Sequence, residues 1–446
     1  MNLRYTLTHA AYKYRADAPE VPAWGVQHLS LAALANETVA CQLVMQAPET
    51  VLATLGCAEL FHWCPAPRLR VAVGDLTGPE GRPVEACVEA SFVGLVPAGE
   101  DGALIADPLL ADESIALEPG RPQALWLSLR LPAEAPPGRY ILPISLYLAG
   151  HLQDEAFVGN VEVGVDLASL ALPEPRAFRH HLDLWQHACG LARGHGVRPW
   201  SEAHWRLIAL YADELARLGQ KAITLVCSDG PWAGQGCRHN PEYPSNLFEY
   251  NIVGLSRGGD GRLRCDFSRL DRYVETYLAR GIDEELEILG LLAAWDNDFG
   301  APLADYPDNI RLSCYDQAAG TMVWLRTRAE LAEYLRALQA HLVERGWWER
   351  VRFAADEPAD VDLFRQRLAF IQEVCPGARA KVPCNHIEVL GELGGAVSDW
   401  VPILPGLAAD VEATWRAAAA TRAQGGRFGW YVCCWPPRPN NFITSP

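Results

Sequence analysis

The order of apolar and polar positions changes character near residue 170. Before it, short runs alternate with period two: "TVACQLVMQA" (38–47), "LRVAVGDL" (69–76), "ALWLSLRL" (124–131), "RYILPISLYLAG" (139–150) and "NVEVGVDLA" (160–168). Alternation of this kind turns one face of a strand to a core and the other to water. Turns rich in Pro and Gly, such as "PAEAPPGRY" (132–140), separate the runs, and no helical segment intervenes. The spacing predicts an antiparallel β-sandwich over residues 1–172. Two prolines in "LALPEPRAF" (170–178) mark its boundary with a second domain, 173–446.

In the second domain strands and helices take turns. "RHHLDLWQHA" (179–188), "KAITLVCSDGPW" (221–232), "LEILGLLAAW" (286–295), "RVRFAADEP" (350–358), "ARAKVPCNH" (378–386), "SDWVPIL" (398–404) and "RFGWYVCCW" (427–435) read as strands. "SEAHWRLIALYADELARLGQ" (201–220) reads as a helix. Trp205, Ile208, Ala209, Ala212 and Leu215 recur at three and four spacings, Ser201 is placed to cap the start, and Gly219 to stop the end. Residues 266–281, 327–346, 360–376 and 410–426 are helical by the same pattern. Seven strands with intervening helices and no Gly-rich dinucleotide turn predict a (β/α)8-type TIM barrel that lacks its last strand. The fold class is therefore multidomain, β plus α/β.

Composition narrows the partners. The 446 residues are half hydrophobic, enough for sizeable cores, and the net charge is −17. An acidic chain argues against nucleic acid and against anionic membrane surfaces. No signal peptide opens the sequence, and its longest apolar run, 286–295, contains Glu287 and is too short to span a bilayer. The expectation is a soluble, cytoplasmic protein. The 13 cysteines form no CxxC pair, so they read as free thiols of a reducing compartment, and neither a metal nor a cofactor is expected.

In a barrel of this kind the active site lies at the C-terminal strand ends. Those ends carry Trp185, Gln186 and His187; Asp229 and Trp232; Trp295 and Asp296; Asp356 and Glu357; Asn385 and His386; and Trp430, Tyr431 and Trp435. Aromatic faces stack on sugar rings, while amides and carboxylates bond hydroxyls. A phosphate site would want basic groups or a Gly-rich turn. The expected partner is a carbohydrate.

Within "VRFAADEPAD" (351–360) a buried strand ends on two adjacent carboxylates. One reading makes them N-caps of the following helix. The other makes them catalytic. A glycosidase needs an acid at the scissile oxygen and a second group for the oxocarbenium-like centre. Strand seven carries no carboxylate nucleophile. A substrate's own 2-acetamido oxygen can take that part, with one carboxylate orienting it and the other donating the proton. Paired like charges also favour holding one proton between them.

"DLWQH", "RPWSEAHW", "LARLGQKAIT", "DGPW", "DGRLRCDFSRLDRYVE", "HLVERGW", "ADEP" and "WYVCCWPPRPNNF" resemble, in this order, the catalytic domain of glycoside hydrolase family 123 and the related domain of unknown function 4091. The upstream "ADPLLADESIALEPGRPQALWLSLRLPAEAPPGRY" resembles the β-sandwich preceding that domain. The resemblance implies a β-N-acetylgalactosaminidase acting with acetamido participation. Asp356 would orient the acetamido group, Glu357 would be general acid and base, and Tyr431 would contact the acetamido. The family's barrel-closing final segment has no counterpart here, and many relatives are exported. A glycosidase for a sugar without an acetamido group and an inactive sugar-binding relative remain alternatives.

Overall fold

The computed structural model describes residues 3–16, 21, 23–56, 67–98, 102–150, 153–231, 248–292, 300–358, 360–385 and 388–432. Residues Met1–Glu174 form one compact unit and Pro175–Trp435 a second.

The first unit is built of strands: β1 (Arg4–His9), β2 (His28–Ala35), β3 (Thr38–Gln46), β4 (Val51–Leu55), β5 (Arg68–Val73), β6 (Cys87–Ala98), β7 (Ala103–Leu109), β8 (Ser114–Leu117), β9 (Gln123–Arg130), β10 (Gly138–Ala149) and β11 (Ala156–Ala171). They form two sheets, β1-β3-β9-β6-β7 and β2-β11-β10-β5-β4-β8. Alternation decides which side chains go inward: Tyr140, Leu142, Ile144 and Leu146 of β10 are buried, while Arg139 before them and Ile141 among them are exposed. One apolar core joins Leu43 and Leu125 of the first sheet to Leu69, Ile144 and Val163 of the second. The second sheet is mixed rather than purely antiparallel, since β2 runs parallel to β11 and β4 to β5. Asn36 takes a left-handed φ of 64° between β2 and β3, which lie in different sheets.

The second unit alternates strands and helices: α1 (Ala188–Gly194), α2 (Glu202–Arg217), β12 (Ala222–Val226), β13 (Gly230–Pro231), β14 (Phe248–Glu249), β15 (Gly254–Arg257), β16 (Leu263–Asp266), α3 (Ser268–Leu278), β17 (Glu285–Leu289), β18 (Ser313–Asp316), β19 (Thr321–Trp324), α4 (Arg328–Glu344), β20 (Val351–Ala354), α5 (Val361–Val374), β21 (Ala380–Cys384), α6 (Glu388–Leu393), β22 (Asp399–Pro402), α7 (Leu404–Ala409) and α8 (Val411–Ala423). Strands β12-β17-β20-β21-β22 make a parallel sheet in that order. Most of their residues are buried, as in parallel sheets covered on both faces. Helix starts follow local chemistry. The Ser201 hydroxyl accepts from His204 N, Thr327 and Glu330 form a reciprocal capping box, and Asp360 and Asp410 accept from Leu363 N and Ala413 N. Among the described residues no helix is long and apolar enough to cross a membrane.

Three expectations change. The run 179–188 forms no continuous ladder: Leu182 makes one parallel bridge to Gln220, and side chains do the rest. Leu184 N donates to Gln220 Oε1 (2.9 Å), Gln186 N to Thr224 Oγ1 (3.1 Å), and Thr224 N to Gln186 Oε1 (2.7 Å). The run 286–295 stops as a strand at Leu289. Gly290 follows with φ of 87°, and a Cβ there would lie 2.1 Å from Ser228 Oγ. Finally, a four-stranded sheet, β16-β15-β18-β19, is inserted into the alternation.

At the other edge, Phe428 bridges Trp400 and Tyr431 bridges Ile403, both parallel. Seven parallel segments are thus described, and they do not lie flat. Lys381 Nζ on β21 is 2.6 Å from Asp183 Oδ2 on the first segment. Four strand spacings separate those segments, roughly 19 Å in a flat sheet. Arg427 Nη1, on the last segment, lies 3.1 Å from His181 Nδ1 on the first. The sheet is rolled so that its two edges approach.

Candidate active site

Glu357 stands just past the C-terminal end of β20 with φ of 25°, an uncommon backbone conformation for a residue with a side chain. The turn breaks strand alternation at the second carboxylate of the Asp356–Glu357 pair. The pair does not cap α5, because that position belongs to Asp360. Glu357 is exposed and Asp356 half-buried. The Tyr431 hydroxyl donates to Glu357 Oε1, and Asn385 Nδ2 donates to Oε2 at 3.1 Å. Tyr431 is fixed by its backbone, with its N donating to Pro402 O and its O accepting from Leu404 N, both at 3.0 Å. Beneath, the Cys384 thiol is pushed up to about 12 by burial and by the Glu357 charge, so it stays protonated.

The other predicted residues divide. Trp185 packs with Val226 against Leu289 and Ala354, at the ends of three neighbouring strands and two residues from Asp356. Trp430 precedes Tyr431 with 55% of its surface exposed, available as a stacking face. Asp229 is buried and engages the backbone: Oδ1 accepts from Asn251 N (3.1 Å) and Oδ2 from Ser313 N (2.7 Å). Burial raises its carboxyl, and those amides offset the rise only in part. Gln186 spends its amide stitching the first segment to β12, with Nε2 donating to Leu184 O. Gln186→Met is therefore expected to cost roughly 1–3 kcal/mol of stability, read by thermal melting, rather than to raise KM selectively. Burial lowers the His187 imidazole, with Arg193 adding to the effect. Trp232, Trp295, Asp296, His386 and Trp435 lie outside the described residues.

A cavity of about 520 Å³ lies beside α1, α2 and α3, lined by Trp185, His187, Leu191, Ile208, Tyr211 and Tyr273 among others. It does not include the carboxylate pair.

A second charged group sits inside the rolled sheet, toward its N-terminal end. Lys381 Nζ is 2.6 Å from Asp183, 2.7 Å from Glu285 and 2.6 Å from Glu287, while Arg427 reaches Glu285 at 2.9 Å. The three carboxylates come within 4.8 Å of one another, a spacing a divalent ion can use, but the ammonium stands among them. Burial opposes the Lys381 charge, yet Glu287, Asp183 and Glu285 outweigh it and hold the ammonium well above its usual range. Burial, with the Asp183 charge, keeps the Glu287 carboxyl raised. Sequence reasoning missed this group. Its signal was two acids at alternate positions of an apolar strand, "ELEIL", and a lone Lys in "AKVPC".

The catalytic-domain model of glycoside hydrolase 123 matches residues 185–446, and the chain belongs to that family. In fold it is similar to a family 123 glycoside hydrolase from Clostridium perfringens studied for glycolipid glycan hydrolysis. The TM-score is 0.77 at 14% identity, covering 100% of this chain and 74% of the other. A protein from Bacteroides vulgatus ATCC 8482, described provisionally as a glycoside hydrolase, matches at 11% identity with a TM-score of 0.30, covering 81% of this chain and 63% of that one. A search of curated proteins by sequence found no match.

Proposed function

We propose that this family 123 member hydrolyses terminal β-linked N-acetylhexosamine, N-acetylgalactosamine foremost, with retention and with the substrate's acetamido group as nucleophile. The observation that carries the reading is the Asp356–Glu357 pair, turned apart by the φ of Glu357 at a strand end and flanked by Tyr431 and Asn385. The acetamido oxygen attacks C1 as the glycosidic bond breaks, and Glu357 protonates the departing oxygen. Asp356 stabilises the N–H of the cyclised oxazolinium. Glu357, now ionised, takes a proton from the water that attacks C1, which reopens the ring and restores the acetamido group. Trp185 and Trp430 are read as sugar-facing surfaces. The glycolipid glycan of the Clostridium perfringens protein is the first natural substrate to try.

The architecture we read is a β-sandwich followed by a TIM-type barrel. What supports the barrel is the charged layer. Asp183, Glu285, Glu287, Lys381 and Arg427 come from the first, third, fifth and seventh segments, and alternate strands supply each interior layer of such barrels.

A thiazoline mimic of the cyclised intermediate is expected to inhibit strongly, because it resembles a species the site stabilises. Asp356→Asn is expected to lower kcat even on activated leaving groups. Turnover of 2-hydroxy glycosides as fast as 2-acetamido ones, with no thiazoline inhibition, would sink acetamido participation and favour a sugar without that group.

A further inference from the structure

Glu357 meets two unlike donors. Oε1 faces the Tyr431 hydroxyl, which can donate or accept, and Oε2 faces the Asn385 amide N–H, which can only donate. While Glu357 is ionised the Asn385 amide keeps its N–H toward Oε2, because its carbonyl oxygen there would face a second acceptor with no hydrogen between them; a proton on Oε2 needs the whole amide to turn over first. A proton on Glu357 therefore has one good place. On Oε1 it points to a hydroxyl that rotates to receive it; on Oε2 it would point at another hydrogen.

We infer that Asn385 is a positioning residue that assigns the proton of Glu357 to Oε1, where in the free enzyme the Tyr431 hydroxyl reverses from donor to acceptor to hold it, and that this O–H turns from Tyr431 to the glycosidic oxygen when substrate is bound. The inference rests on the reading of Glu357 as general acid. It moves Asn385 and Tyr431 from substrate contacts to the acid's own setting. Geometry favours such a role. Glu357 follows β20, Asn385 follows β21, and Tyr431 pairs beside β22, so three neighbouring strand ends hold the group. Cys384 O accepts from Ile403 N at 2.9 Å, which ties the base of Asn385 to the strand next to Tyr431. Sites carried on strand ends keep such distances better than sites on free loops.

The test uses two aryl 2-acetamido glycosides, one with a poor and one with an activated leaving group. Asn385→Ala is expected to lose roughly ten- to a hundredfold in kcat on the poor leaving group, the worth of a hydrogen bond to a charged group. The loss on the activated one should be much smaller. Asn385→Asp removes the same donor and should show the same leaving-group dependence. In the double variant, Asn385→Ala should add little to Glu357→Gln, since both act through one proton. Tyr431→Phe keeps the ring and should reproduce the leaving-group dependence. Asn385 is exposed, so thermal melting should be nearly unchanged. Equal losses on both glycosides, or losses that multiply in the double variant, would overturn the inference. Undiminished activity of Glu357→Gln on the poor leaving group would overturn the acid assignment itself, and the inference with it.

Discussion

On glycosides with poor leaving groups, Glu357→Gln is expected to lose roughly 10²–10⁴-fold in kcat/KM, the share a positioned general acid supplies. Gln keeps the size of the side chain and an oxygen to accept from one of the two donors, Tyr431 or Asn385. It has no proton to give at the leaving oxygen. An activated aryl group departs without that proton, so the same variant should be mild there. The comparison separates the two members of the pair, because Asp356→Asn should be severe on both substrates. A Glu357→Gln enzyme equally impaired on both would assign Glu357 a structural part instead.

Lys381→Met is expected to destabilise the second unit by about 3–5 kcal/mol, the usual result of removing one member of a buried ion group. Thermal melting should fall by roughly 5–15 °C. Met preserves length, so the effect isolates charge. Asp183, Glu285 and Glu287 would then face an apolar side chain with Arg427 as the nearest remaining cation of the layer. The sign with pH is definite. In the native protein burial opposes ionisation of Glu285, but Lys381, His181 and Arg427 outweigh it and hold the carboxyl low. Its contribution is therefore present above the ordinary carboxyl range and lost as pH falls through the lowered value. Lys381 is held high, so its contribution is full below the ordinary ammonium range and lost as pH rises through the raised value. Without Lys381 the carboxylates gain protons more readily, and the deficit of the variant should shrink as pH falls from neutral. Glu287→Gln should cost little, about 1 kcal/mol or less, since burial and Asp183 already favour the protonated carboxyl. A Glu287→Gln loss as large as that of Lys381→Met would contradict this account.

What could be read from the sequence was what is local. Ser201, Thr327, Asp360 and Asp410 announce their helices because a cap needs only a side chain and a backbone N–H three residues on. The long alternating runs of β9 and β10 carry enough period to show which face is buried. Strands β15, β16, β18 and β19 do not: each has four residues, too few for a pattern. Gln186 was in view at a strand end, but its amide answers to Thr224, 38 residues away. The site was legible as a set of residues and not as a set of bonds. Asn385 lies 28 residues from Glu357 and Tyr431 lies 74, and nothing along the chain says which oxygen each will meet.

The charged layer also bears on how this unit folds. Lys381 and Asp183 are 198 residues apart, and Arg427 and His181 are 246 apart. Neither pair can form while the chain between them is still unplaced, so the layer is expected to be among the last contacts to close. Until then Glu285 and Glu287 stand on a strand otherwise bound for the interior, and keeping them hydrated holds that strand out of premature collapse. Contacts this distant make for slow folding, since closure entropy is lost before the contacts return anything. The same charges that fasten the finished sheet would be buried without partners in a partly rolled version of it, so the transition to the native unit is expected to be steep.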